Sequence, residues 1–300
     1  MARRGACAWS SARGRRRRLS PRSSRWVARW RGVDERFLPG EYELSPDMTL
    51  TEIMRALQAG DPRSGLVTWI EGWRAAQMAD ALDGHGLIPR AALMAAVARA
   101  DHPLARRLEL PAGATLEGYL FPDSYQLGRT ASADAVVAVA LETFERRVGA
   151  LWQRYRARAA LSLHEVVTLA SIVEREAQRP EERALIAGVF LNRMRVGMPL
   201  QADPTVQFAL AGPAPLRRPT DGYWKSPLAA NDLEVDSPYN TYRRAGLPPG
   251  PIASPGLAAL QAVLEPQSTE YLYFVAAEDG RHVFARTYEE HLKNVAATQR

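Results

Sequence analysis

The sequence contains a single cysteine, Cys7, which excludes an intramolecular disulfide framework. Its five histidines lack the spacing of zinc ligands, so the sequence indicates neither a metal site nor a redox centre. No apolar run reaches the roughly 18 residues typical of a membrane-spanning helix, and no apolar region of a signal peptide follows the N-terminus. Within this chain, the sequence therefore predicts no cofactor and no membrane helix.

Acidic residues are missing from positions 1–33, which hold 11 arginines. In the remainder, 28 basic residues face 33 acidic ones, so the net charge of +6 for the whole chain becomes −5 without this segment. An arginine-rich segment either binds nucleic acid or anionic lipid, or is simply solvated. We interpret residues 1–33 as a disordered basic tail or the product of a wrong start site, and expect no nucleic-acid partner.

Hydrophobic residues make up 46% of the 300 residues, which is enough for a substantial core and suggests about two domains. Residues 34–110 have the pattern of a small α+β module. Its predicted elements are a strand at 41–44, a helix opened by the capping-box pair Thr49 and Glu52, a strand at 66–70 and an amphipathic helix at 73–82.

Helices dominate the prediction for residues 111–300. Ser132 begins a long helical pattern. Ser162 and Glu165 form a capping box at the start of the next helix, and Pro180 suits the first turn of the one after it. A further helix follows after a short turn, so these last three helices are predicted to pack against one another.

Two carboxylates, Glu174 and Glu176, interrupt the apolar pattern at the end of the helix that begins near Ser162. At about 100° per residue, Glu174 falls inside the apolar stripe, whereas Glu176 lies roughly 110° from the centre of the stripe. Burial disfavours the charged form and raises the pKa of a carboxyl group, as a general acid requires. The alternative is a structural ion pair with an arginine such as Arg193, and helical geometry alone favours it.

Five separated blocks add a more specific signal: LEGYLFPDSYQL, LASIVEREAQ, VFLNRMRVGMPLQADPTVQFAL, SPYNTYRRAGLPPGPIASPGLAALQAVLEP and YLYFVAAEDGRHVFARTYEEH. In this order, over about residues 37–298, they resemble the endolytic murein transglycosylases of the MltG (YceG-like) family. The resemblance implies a small LysM-like N-terminal module at 34–110, a catalytic domain at 111–300, and Glu174 as the catalytic residue.

The resemblance also implies cleavage of the β-1,4 bond between N-acetylmuramic acid and N-acetylglucosamine, which leaves a 1,6-anhydro end. One carboxyl group can act twice in this reaction. Glu174 would protonate the leaving oxygen and then, as carboxylate, deprotonate the muramyl C6 hydroxyl that attacks the anomeric carbon. Two alternatives stay open: a hydrolase with a second carboxylate that activates water, and a peptidoglycan-binding scaffold without catalysis.

Substrate contacts are expected from two segments that match the family. LQADPTV supplies Gln201 and Asp203, although we favour a helix cap for Asp203, which precedes a proline; both roles can coexist. SPYNTY supplies Tyr239, Asn240 and Tyr242, an amide and two aromatic rings suited to N-acetyl groups and sugar faces. A turn held by Asn240 is the alternative for this second segment.

The C-terminal part is predicted to be mostly scaffold. LPPGPI at 247–252 restricts the backbone, which suits either a cleft wall or an ordered loop. Asp279 and Gly280 give a hairpin signal, Thr287 opens a last helix, and His282 is expected to be a half-buried strand residue. The predicted fold class is therefore α+β, with a LysM-like module, a mainly helical catalytic domain and a C-terminal β-hairpin.

The resemblance further implies a cell-membrane location with the catalytic domain on the outer (periplasmic) side, because the family is anchored by one N-terminal membrane helix. Since this chain lacks such a helix, we expect a wrongly assigned start and an upstream coding region with about 20 apolar residues. The expected partners are peptidoglycan glycan strands and, at the membrane, peptidoglycan synthases.

Overall fold

The computed structural model describes residues 45, 47–59, 64–99, 103–108, 110–128, 130–212, 219–220 and 222–298. The predicted tail at 1–33 and the predicted strand at 41–44 lie outside the described residues. Packing divides the chain into two units, one reaching Val67 and including Tyr125–Ala131, the other formed by Thr68–Ser124 and the chain from Ser132 onward. The predicted boundary near residue 110 stays a prediction.

The first unit contains helix α1, Leu50–Ala59, and most of a two-stranded sheet. The capping box predicted before α1 is confirmed: Glu52 N donates to Thr49 Oγ1 at 3.3 Å, and Thr49 N donates to Glu52 Oε2 at 2.7 Å. Strand β1, Ser64–Thr68, pairs with β2, Ser124–Gly128. β1 ends two residues earlier than predicted, because the chain turns sharply after Ile70.

The second unit is mainly helical. Its described helices are α2 (Ala75–Gly84), α3 (Arg90–Val97), α4 (Pro103–Arg107), α5 (Ala133–Tyr155), α6 (Leu163–Glu176), α7 (Arg183–Arg195), α8 (Asp203–Ala211), α9 (Leu257–Leu264) and α10 (Tyr288–Thr298). Two short 3₁₀ turns, Pro180–Glu182 and Ala230–Glu234, and the strands β3 (Tyr273–Ala276) and β4 (His282–Ala285) complete it.

Local signals start the central helices where the sequence predicts. The Ser132 side chain accepts a hydrogen bond from Ala135 N at the start of α5. Ser162 and Glu165 form the predicted capping box of α6. Both caps satisfy backbone N–H groups that have no partner within the helix, so they fix where α5 and α6 begin.

Helix α6 is buried on all sides over most of its length. His164 and every residue from Val166 to Val173 are buried, and the helix packs against α7, α8 and α9. The single apolar stripe predicted for this helix therefore covers only part of its buried surface. Because core surrounds the helix, its angular geometry does not separate an inward Glu174 from an outward Glu176.

The predicted C-terminal hairpin is confirmed. β3 and β4 are antiparallel, with Tyr273 opposite Ala285 and Ala276 opposite His282. The His282 side chain is buried, more than the half-burial expected, and its Nδ1 lies 2.7 Å from Glu182 Oε2. The histidine thus ties the hairpin to the 3₁₀ turn before α7, a structural role.

The described residues form a helix-rich fold with two small sheets, which agrees with the predicted α+β class, while the LysM-like module stays a prediction. None of the helices in the described part of the chain is both long and apolar enough to cross a membrane.

Candidate active site

Glu174 lies in the last turn of α6 and is held by two hydrogen-bond donors. Arg183 Nη2 donates to Glu174 Oε1 at 2.9 Å, and Gly256 N donates to Glu174 Oε2 at 3.0 Å. Only 7% of the Glu174 side chain and 15% of the Arg183 side chain are exposed. An ion pair was the open alternative for Glu174, but the arginine is Arg183 and not the expected Arg193.

A second carboxyl group, that of Glu71, lies in the turn after β1. Trp73 N donates to Ile70 O at 3.1 Å, and Gly72 has a φ of +79°, so the turn has the pattern of a type II turn that requires glycine. Two backbone hydrogen bonds of 2.8 Å, from Gly72 N to Ser254 O and from Ser254 N to Trp73 O, fix the turn to the chain before α9. These contacts position Glu71.

Glu71 and Glu174 meet at Gly256. A Cβ atom at Gly256 would lie 2.1 Å from Glu71 Oε1 and 2.5 Å from Oε2, so the carboxyl group fills the space that a side chain would take. A Cβ at Gly72 would lie 3.6 Å from Glu174 Cγ, which shows that the turn packs directly on the end of α6. Both carboxyl groups therefore belong to one site.

The environment of Glu71 favours its protonated form. Its pKa is raised first by partial burial and then by the negative charge of Glu174, while Arg183 opposes the shift. The Glu71 residue as a whole is exposed, but its carboxyl group lies against Gly256, which accounts for the partial burial. Among the residues that the structure describes, none forms a hydrogen bond with this carboxyl group.

Arg175 separates Glu174 from the next acid on the helix. Its guanidinium carbon lies 4.0 Å from the ring centroid of Trp224, whose Nε1 donates to Gln77 Oε1 at 3.0 Å. Burial lowers the pKa of Arg175, and the charges of Glu174 and Glu176 partly offset this shift. A positive charge stacked on an aromatic face thus stands between two acidic groups.

Glu176, Asp203 and Tyr242 form a second acidic cluster. Tyr242 Oη donates to Asp203 Oδ1 at 2.6 Å, and the backbone N–H of Asp203 is hydrogen-bonded to the Glu176 carboxyl group. Burial and the charge of Asp203 raise the pKa of Glu176 to about 8, against the opposing charges of Arg193 and Arg175. Glu176 is therefore held in surroundings that favour its protonated form, although its angle on the helix predicted an outward side chain.

The helix cap predicted for Asp203 is wrong. The N-cap of α8 is Ala202, which has no side chain able to cap, and Asp203 is the first helical residue. Its carboxylate accepts a hydrogen bond from Tyr242 instead. The Asp203 carboxylate, which the local pattern predicts to cap the helix, is instead bonded to the hydroxyl of a residue that is distant in sequence.

Gln201 has a strained backbone next to this cluster. Among the described residues it is the one non-glycine with a positive φ, +51°. Gln201 N donates to Thr241 O at 3.1 Å, and Ala202 N donates to Thr241 Oγ1 at 3.1 Å, which holds the strained segment in place. The Gln201 side chain is exposed and free to reach a ligand. Strain of this kind is concentrated at functional sites.

Asn240 has a structural position, as the turn alternative predicts. The residue is fully buried, and its Nδ2 donates to Leu233 O at 2.8 Å and to Val235 O at 2.9 Å. Its Oδ1 accepts from Tyr242 N at 3.0 Å. The amide thus has no group left for an N-acetyl group, and the expected substrate contact is corrected to positioning of Tyr242.

Tyr239 is half-buried and packs against Phe208. Its ring centroid is 4.7 Å from that of Phe208, and burial together with the charge of Glu117 raises its pKa. A Cβ at Gly250 would lie 3.6 Å from Tyr239 Oη. Tyr239 thus packs beneath the 247–252 loop.

The loop at 247–252 runs along α6. His164 Nε2 lies 2.9 Å from Pro249 O, and Ile252 N donates to Ser171 Oγ at 3.0 Å. Further along the chain, Gly256 N donates a hydrogen bond to Glu174 in the last turn of α6. Residues 247–252 therefore form an ordered loop along α6, the helix that carries Glu174 and Glu176.

The structure thus divides the predicted site residues between two clusters. Glu174 lies with Glu71, Arg183 and Gly256, whereas Asp203 and Tyr242 lie with Glu176. Sequence reasoning missed Glu71 and Arg183; an acid followed by glycine just after a strand was the one local sign of Glu71. In the described ranges, no three or more His, Cys, Asp or Glu residues group as a metal site.

Comparison with known proteins supports the family resemblance. The model of the YceG-like family matches residues 15–297. The endolytic murein transglycosylase of Bacillus subtilis (strain 168) is 32% identical over 289 residues, which are 91% of this chain and 76% of that protein. The protein of the same name from Streptococcus pneumoniae (serotype 2, strain D39) is 34% identical over 182 residues, or 60% of this chain and 32% of that protein.

A solved structure agrees with the described fold. The 2.6 Å crystal structure of a yceG-like protein from Listeria monocytogenes is 31% identical in sequence and superposes with a TM-score of 0.67. The match covers 90% of this chain and 89% of that one.

Proposed function

The chain belongs to the YceG-like family, and from this premise and the geometry around Glu174 we propose that it is an endolytic murein transglycosylase. Two relatives, from Bacillus subtilis and Streptococcus pneumoniae, carry that name. Two acids at the end of α6 bear on the mechanism. The family resemblance implies Glu174, which the structure holds in an ion pair with Arg183. Glu176 lies with the expected substrate residues Asp203 and Tyr242, and its pKa is raised to about 8. A carboxyl group whose pKa lies near neutral pH can exchange a proton with a bound sugar.

The proposed reaction breaks the β-1,4 bond between N-acetylmuramic acid and N-acetylglucosamine within a glycan strand. The leaving oxygen gains a proton, the muramyl C6 oxygen bonds to the anomeric carbon, and the C6 hydroxyl loses a proton. No water is added, so the muramyl end is a 1,6-anhydro sugar. In the simplest cycle, one carboxyl group at the end of α6 gives the first proton and takes back the second. Glu176 fits this role by its raised pKa and its contact with Asp203, whereas Glu174 is already held by Arg183.

Substrate binding is proposed for the second cluster and its neighbours. Gln201 offers an exposed amide on a strained backbone. Asp203 and Tyr242 form a hydrogen-bonded pair that can exchange its internal bond for sugar hydroxyls. Tyr239 supports the wall formed by the 247–252 loop. Asn240 positions Tyr242, because its Oδ1 accepts a hydrogen bond from Tyr242 N.

Family membership also supports three finer proposals. The N-terminal region carries a LysM-like module that binds glycan strands. The catalytic domain acts at the cell membrane on its outer side, and peptidoglycan synthases are partners there. Fusion of the chain to a reporter that is active only outside the cytoplasm tests the location directly.

Mass analysis of products from purified glycan strands tests the reaction. We expect 1,6-anhydro ends from the full chain, and a loss of turnover of about 10²-fold or more for the variant of the acting acid, with Glu174→Gln and Glu176→Gln compared side by side. Glu289→Gln is the matched control, since Glu289 is an exposed acid in α10 that pairs with Lys293. Strand binding without products in the full chain, or full activity in both glutamate variants, would contradict the proposal.

One observation favours a rival function. Hydrolytic glycosidases use two carboxyl groups across the scissile bond, and Glu71 gives this site a second carboxyl beside Glu174. A hydrolase adds water, so each of its cleaved muramyl ends is heavier by one water than an anhydro end. The same mass spectrum therefore distinguishes the two reactions.

A further inference from the structure

The second unit contains a groove that the proposed reaction does not use. It lies between the end of α4, the second half of α5 and the start of α6, and it encloses about 470 Å³, a volume typical of sites for small ligands. Buried side chains of Leu108, Phe144 and Val148 form its floor. Trp152 and Leu163 line it and are partly exposed. The groove is therefore open to solvent above an apolar base.

Gly149 lies in the interior of α5 and lines this groove. The nearest side-chain atom to a Cβ built on Gly149 is Glu145 Cγ at 3.9 Å, so packing within the described chain does not require a glycine here. Glycine inside a helix costs about 0.5–1 kcal/mol relative to alanine, and it also lets a ligand approach the backbone closely. The bare backbone at Gly149 thus has the character of a binding surface.

Two arginines line the groove and give it positive charge. Arg156 is exposed; its Nη1 donates to Gln153 Oε1 at 3.3 Å, and no acid among the described residues pairs with it. Arg107 pairs with Glu145 at 2.6 Å, but 59% and 44% of these two side chains are exposed. Such an exposed pair contributes little, so Arg107 can exchange its partner for a carboxylate of a ligand. The groove therefore fits a ligand that has both small apolar groups and carboxylates.

The groove adjoins the loop at 247–252. His164 lines the groove, and its Nε2 lies 2.9 Å from Pro249 O in that loop. From there α6 runs to the acids Glu174 and Glu176, over about 20 Å at 1.5 Å per residue. An extended peptide of five residues spans at most about 18 Å. A short peptide attached to a glycan strand bound near these acids can therefore reach the groove.

We propose that this groove binds the peptide stem of a peptidoglycan strand, from a muramyl residue other than the one that is cleaved. The inference rests on the proposed function and narrows its substrate class to strands that carry stems. Peptide stems are short and contain alanine methyl groups and free carboxylates. The methyl groups match the apolar floor, and the carboxylates match Arg107 and Arg156. Stem binding holds the strand along α6 without touching the reacting atoms.

The first part of the test measures stem binding without turnover. A synthetic stem pentapeptide that ends in D-Ala-D-Ala is titrated into the full chain labelled with nitrogen-15, and the indole signal of Trp152 is followed by NMR. Trp152→Phe assigns that signal. We expect a saturable shift in the unaltered chain, no shift in Gly149→Leu, whose side chain fills the groove, and binding about tenfold weaker in Arg156→Glu.

The second part measures cleavage of two substrates, glycan strands with their stems and the same strands after enzymatic removal of the stems. On strands with stems, Gly149→Leu and Arg156→Glu should raise KM by about tenfold. Their kcat should be unchanged, because the groove lies at the opposite end of α6 from the acids. On stripped strands both variants should match the unaltered chain, which separates loss of a stem contact from general damage to the enzyme.

Control variants protect the test against misfolding. Gly149→Leu replaces a glycine with a better helix former at an open position, so its unfolding temperature should not fall. Gly84→Leu is its control, since a Cβ at Gly84 in α2 meets no atom within 4 Å. Arg286→Gln, at an exposed arginine outside the groove, is the control for charge.

Two results would overturn this inference alone: no saturable shift with the stem peptide in the unaltered chain, or a KM raised equally on stripped strands. Water-containing products from the unaltered chain would overturn the proposed reaction instead. The NMR titration needs no turnover, so its outcome is independent of which reaction the chain performs.

Discussion

Arg183 reaches Glu174 across the break between two helices and binds its Oε1 at 2.9 Å. The pair is largely buried, with 15% and 7% of the two side chains exposed. Removing one partner of such a pair leaves a charge without compensation. We therefore expect Arg183→Met to lower the free energy of unfolding by about 3 kcal/mol, measured by urea denaturation.

The double variant Arg183→Met with Glu174→Gln separates pairing from packing. We expect it to lose less stability than the two single losses combined, by about 0.5–3 kcal/mol. Arg286→Met is the control, because Arg286 and its partner Glu270 are 63% and 77% exposed and should contribute within about 0.5 kcal/mol. Strict additivity of the two site variants would show that the ion pair contributes nothing.

The coupling between Glu71 and Glu174 predicts a titration shift. The charge of Glu174 raises the pKa of Glu71, and Arg183 lowers it. In Glu174→Gln the raising charge is gone and the arginine remains, so the pKa of Glu71 should fall. Carbon-13 NMR titration of the Glu71 carboxyl group measures this directly. An unchanged pKa of Glu71 would mean that the charge of Glu174 does not act on it.

Close helix packing predicts opposite outcomes for two glycine substitutions. A Cβ at Gly188 in α7 would lie 2.4 Å from Gln267 O, a backbone atom that cannot move alone, so Gly188→Ala should destabilise the fold by about 1–3 kcal/mol. At Gly149 in α5 the nearest atom is 3.9 Å away, and Gly149→Ala should stabilise it by about 0.5–1 kcal/mol. Guanidinium denaturation of both variants checks the contrast.

What could be predicted from the sequence was mainly local. The caps at Ser132 and Ser162 and the C-terminal hairpin depend on residues within a few positions of one another. Glu71 could not be found this way, because its role depends on a chain segment near Gly256 that is distant in sequence. The cap predicted for Asp203 was wrong for the same reason, because the Asp203 carboxylate is bonded to the hydroxyl of Tyr242, a residue distant in sequence.

Glu174 and Glu176 in α6 show when a periodic apolar pattern can predict which side chains point into the core. Angular position separates inside from outside only where one face of a helix meets solvent. Core surrounds α6 from Val166 to Val173, so both Glu174 and Glu176 lie in protein surroundings. The family blocks selected Glu174, and only the packed structure shows that burial and Asp203 raise the pKa of Glu176.

This perturbation predicts a pH-dependent stability. Burial and the charge of Asp203 raise the pKa of Glu176 to about 8, against a usual value of 4.5. Between these two values the folded state binds more protons at this group than the unfolded state does. Stability contributed by Glu176 should therefore fall as the pH rises from about 4.5 to about 8 and change little above that.

Replacing this acid with a neutral amide should remove that loss. We expect Glu176→Gln to unfold at the same temperature as the unaltered chain near pH 5, and to be more stable by on the order of 1–3 kcal/mol near pH 8. Thermal unfolding across this range measures the difference, and Glu181→Gln, at an exposed acid in the neighbouring 3₁₀ turn, is the control. The amide can still accept the hydrogen bond from Asp203 N, so the cluster should keep its geometry. A variant that loses stability equally at both pH values would instead show that Glu176 acts as a charged partner of Arg193 and Arg175.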